Sequence, residues 1–494
     1  MGKMFQKMVG LTLMISLLAG LLIGCAGEEK ATTNEDTTEL IWYYVGDSTA
    51  EDQEIFDAAN KIIKEKINAT VNFMPIAMGD YGQKMQLKSS ASEVFDLCFT
   101  ADWGGYLYYD NVKKGAFMAI DDLIEKKAPK LKEMIPENIW KGVSVAGKTY
   151  AVPNYQVSFR QPAYIFKKEL VEKYNLQDAL DNAKTMEDFT PILKVVQENE
   201  PNIIPAGKGP TSNMHMIGSL DDYYEKPVQV ASIGVDYDLN VLDMRKGKPA
   251  EEYMKMLALS HEWNKLGFYH KDVGIAKDFT PELKAGKIFM TTDTYKPGLE
   301  ADMELRYGYP VYIKILGNPI ISTGSISAAL TAVSRTSKNP EKAMEFLELI
   351  NSDKELYNLI VFGIEGTQYK KTGPNSIEIF SEAKYRAHAW AMGCQFNAYT
   401  LPGQPDDVWE QTIICNEEAY PSPLLGFCFD NENIKTELAN LQTASAPYDA
   451  LIMWGLTDDY ETLVKDADAQ TDKDVQVIKE EIERQIEEFK KTKN

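Results

Sequence analysis

Four histidines in 494 residues leave little room for imidazole chemistry. His261-Glu262 opens like a zinc-protease motif, but HExxH needs its second histidine one helical turn on, and position 265 is Lys. His270 lies beyond Gly267, outside the same helix. No CxxC pair exists, which excludes a zinc ribbon or a thioredoxin-like motif, and no GxSxG elbow occurs. After the first two dozen residues no run is long and apolar enough to span a bilayer, so the chain is not itself a channel or permease. Positive charge is short as well: 52 Lys and Arg stand against 74 Asp and Glu, a net charge of −22. Such a chain is not expected to bind nucleic acid, where non-specific affinity comes from neutralising phosphates. Nor would charge draw it to an anionic lipid surface.

What the chain does have begins at its start. Lys3 and Lys7 precede an apolar run from Val9 to Ile23, and LLAGLLIGCAGEEKATT then turns polar at once. The run is a little short for a span and no basic stop-transfer cluster follows, the shape of a secretory signal peptide. Leu22-Ile23-Gly24-Cys25 resembles the lipobox of bacterial lipoproteins. That resemblance implies cleavage after Gly24 and acylation of the Cys25 thiol and its new amine. A single acyl chain anchors only marginally, whereas several hold a protein to the membrane. A plain signal peptide with an incidental cysteine is the alternative. Losing the two lysines of residues 1–24 takes the net charge from −22 to −24. Residues 25–38 read as a tethered, flexible leash. Of the remaining cysteines, Cys98 lies in the apolar VFDLCF and reads as core. Cys394, Cys415 and Cys428 lie in one region, as buried thiols or as disulfide partners.

The 470 residues after Gly24 are too many for one core, so two or more domains are expected. ELIWYYVGD is strand-like. Ser48 or Thr49 could cap a helix in which Ile55, Phe56, Ala59, Ile62, Ile63 and Ile67 recur at helical spacing. ATVNFMPI and EVFDLCFTAD read as further strands, so the start is a parallel α/β sheet. Helices are expected at about 119–135, 167–174, 186–198 and 250–266, with a strand at KIFMTTD. Asn339 and Pro340 open another helix, and Ser352 opens one that ends at Gly363. In the last helix Val475, Ile478, Ile482, Ile486 and Phe489 share one face that packs onto the body.

GVSVAGKT, residues 142–149, matches GxxxxGK[ST] letter for letter. A P-loop needs a helix N-terminus after it, and here TYAVP follows, which alternates and closes on Pro153. A β-hairpin turning at Ala146-Gly147-Lys148 is the better reading. Carboxylates are plentiful, but nothing selects a glycosidase pair among them.

The chemistry that remains is aromatic and amide-rich. Asp102 and Trp103 follow a predicted strand, where ligands of open α/β sheets bind. Asn154, Tyr155, Gln156, Arg160 and Tyr164 sit in a connecting segment. Asp293 and Tyr295 follow a third strand, Trp390, Gln395 and Asn397 lie in HAWAMGCQFNAY, and Tyr43 lies in the first strand. Flat rings with carboxylates and amides beside them suit a sugar, whose C–H face stacks while its hydroxyls need donors and acceptors. Core packing is the competing reading for any single aromatic.

In order along the chain, the lipobox, DLCFTADWGGYLYYDNVKKGAFMAIDDL, AGKTYAVPNYQ, GKIFMTTD and NPEKAMEFLELINSDKELYNLIVFGIEG resemble the carbohydrate-type extracellular solute-binding lipoproteins of bacterial ABC importers. PLLGFCFDNENIKTELANLQTASAPYDALIMWG resembles the region that closes one branch of that family. The resemblance implies a two-lobed type II periplasmic-binding-protein-like α/β fold with hinge strands between the lobes. One lobe would be 39–153 plus 321–362, and the other 154–320 plus 363–494, with crossings near 153, 320 and 363. Asp102, Trp103 and Asn154 to Gln156 would line the cleft, and Tyr164, Tyr295 and Trp390 would face it from the second lobe. The implied protein is a monomer on the outer face of the cytoplasmic membrane. It would touch the membrane only through its lipid, with a carbohydrate ligand, an ABC permease as partner, no cofactor, no metal and no catalysis. A peptide or other small solute, or a surface glycosidase, are the alternative functions.

Overall fold

The computed structural model describes residues 37–211, 224–225, 232–275 and 279–492. The leader, Cys25 and the leash up to residue 36 lie outside the described residues.

The first sheet is built as the sequence pattern predicts. Strands Thr38–Val45, Ala69–Ile76 and Leu97–Thr100 are parallel neighbours, joined by helices Asp52–Ile67 and Met78–Ser90. Leu330–Val333 then runs antiparallel beside Leu97–Thr100, and Ala151–Pro153 pairs with it in turn. Both faces are covered by helices, among them Pro340–Ser352 and Lys354–Phe362. The predicted capping differs in detail. The side chain of Asn339 makes no cap bond, and Asp353 rather than Ser352 opens the following helix, its Oδ1 accepting the Leu356 N–H at 3.0 Å.

The second sheet has the order Val311–Ile315, Pro162–Lys167, Ile288–Thr294, Ile204–Ala206. Its central strand Pro162–Lys167 is buried on both faces. Tyr164 and Phe166 point into one cluster, Ala163 and Ile165 into another. A third, small sheet links the two: Phe159–Arg160 pairs antiparallel with Ile320–Ile321, and Tyr420–Pro421 pairs parallel with that strand.

The third linking strand therefore lies near residue 420, where the resemblance placed a crossing near 363. Tyr369, Ile377, Tyr385, Ala387, Ala391, Met392, Cys394 and Leu401 pack into the core of the first sheet. The chain stays on that core well past Phe362, because the apolar faces of Pro340–Ser352 and Lys354–Phe362 leave a surface that residues 369–401 cover.

The C-terminal region forms its own cluster. Val475, Ile478, Ile482 and Ile486 of the long helix Tyr460–Thr492 are buried against Leu424, Phe427, Ile434 and Leu441, and against Ile233 and Val235 of a small antiparallel sheet. Phe489 meets the Phe427 ring at 5.3 Å, so the predicted stripe is the packed face.

The P-loop lookalike is a hairpin: Ser144–Val145 pairs antiparallel with Lys148–Thr149, and Ala146 and Gly147 both take positive φ, as a tight two-residue turn requires. His261 is spent on structure, its Nδ1 at 3.0 Å from the Gly455 carbonyl and its Nε2 at 3.1 Å from Asp458. Cys98, Cys394, Cys415 and Cys428 are free thiols, with Cys98 in the core.

Candidate solute-binding site

The strands Thr38–Val45, Ala69–Ile76, Leu97–Thr100 and Ala151–Pro153 all point the same way, so Gly46-Asp47, Ala101 to Trp103 and Asn154 to Gln156 emerge on one edge. Pro162, Thr294 and Ile315 mark one edge of the second sheet, and the linking strands continue from it. Carboxyl edges of open α/β sheets are where ligands bind.

Trp103 is the most exposed aromatic at the first edge, at 38%. It is held rigidly nonetheless. Gly104 and Gly105, both at positive φ, turn the chain back after it. Its indole N–H donates to the Ala328 carbonyl at 2.8 Å, and Phe99 backs it at 6.1 Å. The Trp390 ring lies 5.8 Å away, tilted by 52°, and also touches Phe99 at 5.7 Å. His388 stacks on Trp390 at 5.3 Å. Tyr357 Oη donates to the Ala389 carbonyl at 2.7 Å, and Asn154 Nδ2 to the Trp390 carbonyl at 3.4 Å. Asn154 is itself fixed by Thr331 Oγ1 at 3.1 Å. Two tryptophans far apart in sequence thus form one platform on the first core, and Trp390 belongs to that side rather than to the second lobe as expected. Beneath Trp103 a narrow hollow is lined by Val45, Met78, Tyr81, Phe99 and Tyr106.

The charges nearby are incompletely matched. Asp102 Oδ1 is buried and has no hydrogen-bond partner among the described residues. Burial pushes this carboxyl up to about 6, against the pull of Arg160. The Arg160 guanidinium makes no hydrogen bond or ion pair with a described residue. Desolvation lowers its pKa while Asp102 and Asp293 raise it. Asp293 is satisfied: its Oδ1 accepts the Thr294 N–H at 2.7 Å and its Oδ2 faces Arg306 at 3.1 Å. Asp302 is held by Lys296 and by Gln404 Nε2 at 2.7 Å. Arg386, an exposed side chain, has no such partner among the described residues. Desolvation and Arg306 lower its pKa, and Asp302 opposes them. Desolvation likewise lowers the pKa of His388, countered by Asp47 and reinforced by Arg386.

The other expected site residues divide sharply. Gln156 lies at the first edge with its side-chain amide making no hydrogen bond to a described residue, its backbone carbonyl accepting from Asn416 at 2.8 Å. Gln395 is nearly buried, and its backbone N–H bonds the Tyr155 carbonyl at 2.9 Å. Tyr295 packs against both the first core and the cluster around Leu299 and Met303, with its N–H on the Gln161 carbonyl at 2.7 Å.

Four expected residues are structural instead. Tyr164 is 1% exposed in the second core, edge-on to Phe189 at 5.1 Å. Tyr155 is buried edge-on to Phe396 at 4.8 Å. Asn397 Nδ2 ties down the Asn351 carbonyl at 2.6 Å. Tyr43 lies within its strand, its hydroxyl bonded to Glu93 at 2.8 Å and to Lys88 at 3.0 Å. Strand alternation put the Tyr43 and Tyr164 rings on buried faces, which composition could not distinguish from a binding face. Sequence reasoning missed Arg306, Arg386 and His388. The scarcity of arginine was the available signal, since only six of the 52 cationic side chains are Arg.

Two lobes, each with a sheet of its own, a linking sheet between them, and an aromatic platform beside unsatisfied polar groups define a two-lobed solute-binding protein. The chain belongs to the bacterial extracellular solute-binding protein family, whose model matches residues 46–356. Residues 423–491 match a domain of unknown function, DUF3502. A carbohydrate ABC transporter substrate-binding protein of Streptococcus pneumoniae serotype 4 (strain ATCC BAA-334 / TIGR4) is 27% identical, over 99% of this chain and all of that protein. The crystal structure of the N-glycan transport solute-binding protein NgtS from S. pneumoniae superposes with a TM-score of 0.83 at 25% identity, over 92% of this chain and all of NgtS. NgtS complexed with Man5GlcNAc superposes with a TM-score of 0.73 at 25% identity, over 92% of this chain and 99% of NgtS.

An acid whose folded pKa is raised adds stability below its unfolded pKa and loses that contribution as pH rises through the folded value. For Asp102 the window runs from the ordinary carboxylate value of 3.8 to about 6. Asp102→Asn removes the buried charge. It is expected to raise the thermal midpoint at pH 7.5 by ~2 °C or more and to leave it unchanged at pH 3.5. Scanning calorimetry at the two pH values checks this, and an equal shift at both would refute it.

Proposed function

We propose that this chain is a lipid-tethered receptor that captures an oligosaccharide between its lobes and delivers it to the membrane permease of an ABC importer. The observation that carries the reading is the Trp103–Trp390 platform, 5.8 Å between rings, standing beside the unengaged polar groups of Asp102, Gln156 and Arg160. A pyranose offers an apolar face to such rings and a rim of hydroxyls to such groups. Relatives described as carbohydrate and N-glycan binders support the same ligand class.

The mechanism is hinge closure about the linking strands. The first lobe presents the platform, the second presents Asp293, Tyr295 and Arg306, and a ligand touching both favours the closed form by its differential affinity. The TM-score is 0.83 with NgtS described without a glycan, and 0.75 and 0.73 with its Man1GlcNAc and Man5GlcNAc complexes. That order supports an open state here that closes on its ligand. The receptor carries out no chemistry on the sugar; transport is the permease's work.

Trp390→Ala is expected to weaken binding of Man5GlcNAc about tenfold or more, about 1.4 kcal/mol, with the protein still folded at the assay temperature. Unaltered affinity by titration calorimetry would reject the platform. The tether is Cys25, supported by the four residues that end at it and the polar stretch after it. Cys25→Ser is expected to release the protein from the membrane fraction into the medium. Retention with the membrane would overturn the lipid assignment.

A further inference from the structure

Residues 423–491, the region that matches a domain of unknown function, leave the linking strand Tyr420–Pro421 and touch both lobes. The two contacts are built differently.

On the second lobe the attachment is close. Trp454 packs on the second core, 5.2 Å from the Tyr269 ring. Gly455, at positive φ, lies so near helix Gly247–Lys265 that a Cβ there would stand 2.3 Å from the His261 Cα. The Gly455 carbonyl accepts from Asn264 Nδ2 at 3.0 Å, and Ser260 Oγ donates to the Met453 carbonyl at 2.7 Å. Helix Tyr460–Thr492 starts from this anchor. Arg245, just ahead of helix Gly247–Lys265, clamps it further along through the Asp468 carbonyl at 3.2 Å and the Asp472 carboxylate at 2.9 Å. At a rise of 1.5 Å per residue, Gln485 lies about 38 Å beyond Tyr460. There its side chain bonds the Asp430 backbone twice, Nε2 to the carbonyl at 2.7 Å and Oε1 to the N–H at 2.8 Å.

On the first lobe the attachment is lighter. Next to the linking strands, Thr323 Oγ1 donates to the Leu424 carbonyl at 3.1 Å and accepts the Gly426 N–H at 2.8 Å. Beyond that point Lys113 reaches across from the end of helix Tyr108–Lys113, which Tyr108 and Val112 fix in the first core. Its Nζ pairs with Asp430 Oδ1 at 3.0 Å and donates to the Phe429 carbonyl at 3.2 Å. The Asp430 side chain is 55% exposed, so the pair is weak and easily exchanged for water. Rotating the second lobe about the linking strands carries the long helix, and with it Gln485 and Asp430, while Lys113 stays with the first core. Lobe rotation therefore acts on this pair before it disturbs either core.

We propose that residues 423–491 are a brace that sets the resting angle between the lobes: the second lobe carries it, Lys113 and Asp430 latch it to the first lobe in the empty receptor, and the latch opens as the lobes close. The proposal rests on the hinge-closure reading and gives the region of unknown function a part in it. A weak latch suffices, because two lobe arrangements that differ little in free energy change their populations severalfold under a small bias.

The experiment combines small-angle scattering of the ligand-free protein with titration calorimetry against Man5GlcNAc, at low salt. Lys113→Glu is expected to give a smaller ligand-free radius of gyration than the wild type and to bind about threefold tighter, since less of the closed form must be recruited by the ligand. Lys113→Glu with Asp430→Lys restores the pair in reverse and is expected to return both values to those of the wild type. Lys113→Met, which removes the charge without repulsion, is the second variant should charge reversal impair folding, and its shift is expected in the same direction. A ligand-free profile and an affinity unchanged from the wild type in these latch variants overturn the brace and leave hinge closure standing. A wild-type profile that does not change on saturation with Man5GlcNAc overturns hinge closure itself. If Man5GlcNAc does not bind, the ligand-free profiles still decide the latch: a smaller radius in Lys113→Glu that the double variant reverses supports it, and identical profiles overturn it.

Discussion

The regular structure that ties the two lobes together is three strands of two residues each: Phe159–Arg160, Ile320–Ile321 and Tyr420–Pro421. On one side lies the core of the first sheet, on the other the clusters on both faces of the second. Well-packed cores resist deformation, so relative motion concentrates where packing is thin. The proposed closure would need changes at only a few backbone positions and would leave both cores intact. The position of Arg160 on one of these strands puts a charged group at the pivot itself, and Tyr295 touches the cores on both sides.

The division of labour between lobes follows from this. The first lobe holds rigid apolar surface: Trp103 is pinned by Ala328, and Trp390 by Asn154 and the Tyr357-bound carbonyl of its neighbour. The second edge holds charge: Asp293, Arg306 and Asp302 with their partners. On the proposed reading, a sugar ring laid on the platform would satisfy its hydroxyls only by engaging the facing groups, so the polar contacts would form as the lobes approach. Rings ordered in advance reduce the entropy lost on binding, so in the proposed site Asn154, though buried, would act through its bond to the Trp390 carbonyl.

Much of this was legible in the sequence for identifiable reasons. The opening sheet was readable because Ile55, Ala59 and Ile63 keep helical spacing between two apolar strands. The hairpin at 144–149 was readable because a strand pattern followed the glycine where a P-loop needs a helix. The final stripe from Val475 to Ile486 was readable because its period matches one buried helix face. What failed was long-range. Local pattern cannot say that residues 369–401 return to cover Pro340–Ser352 and Lys354–Phe362, so Trp390 was assigned to the wrong lobe. Nor can it say that Tyr164, in register with Thr292 and Lys314, faces a core rather than a cleft.

Small-angle X-ray scattering in solution, with and without a saturating amount of the tightest-binding glycan, tests the central claim most directly. The account predicts a smaller radius of gyration in the glycan-bound protein, as the lobes close about the linking strands. Saturation with glycan and an unchanged scattering profile would contradict it.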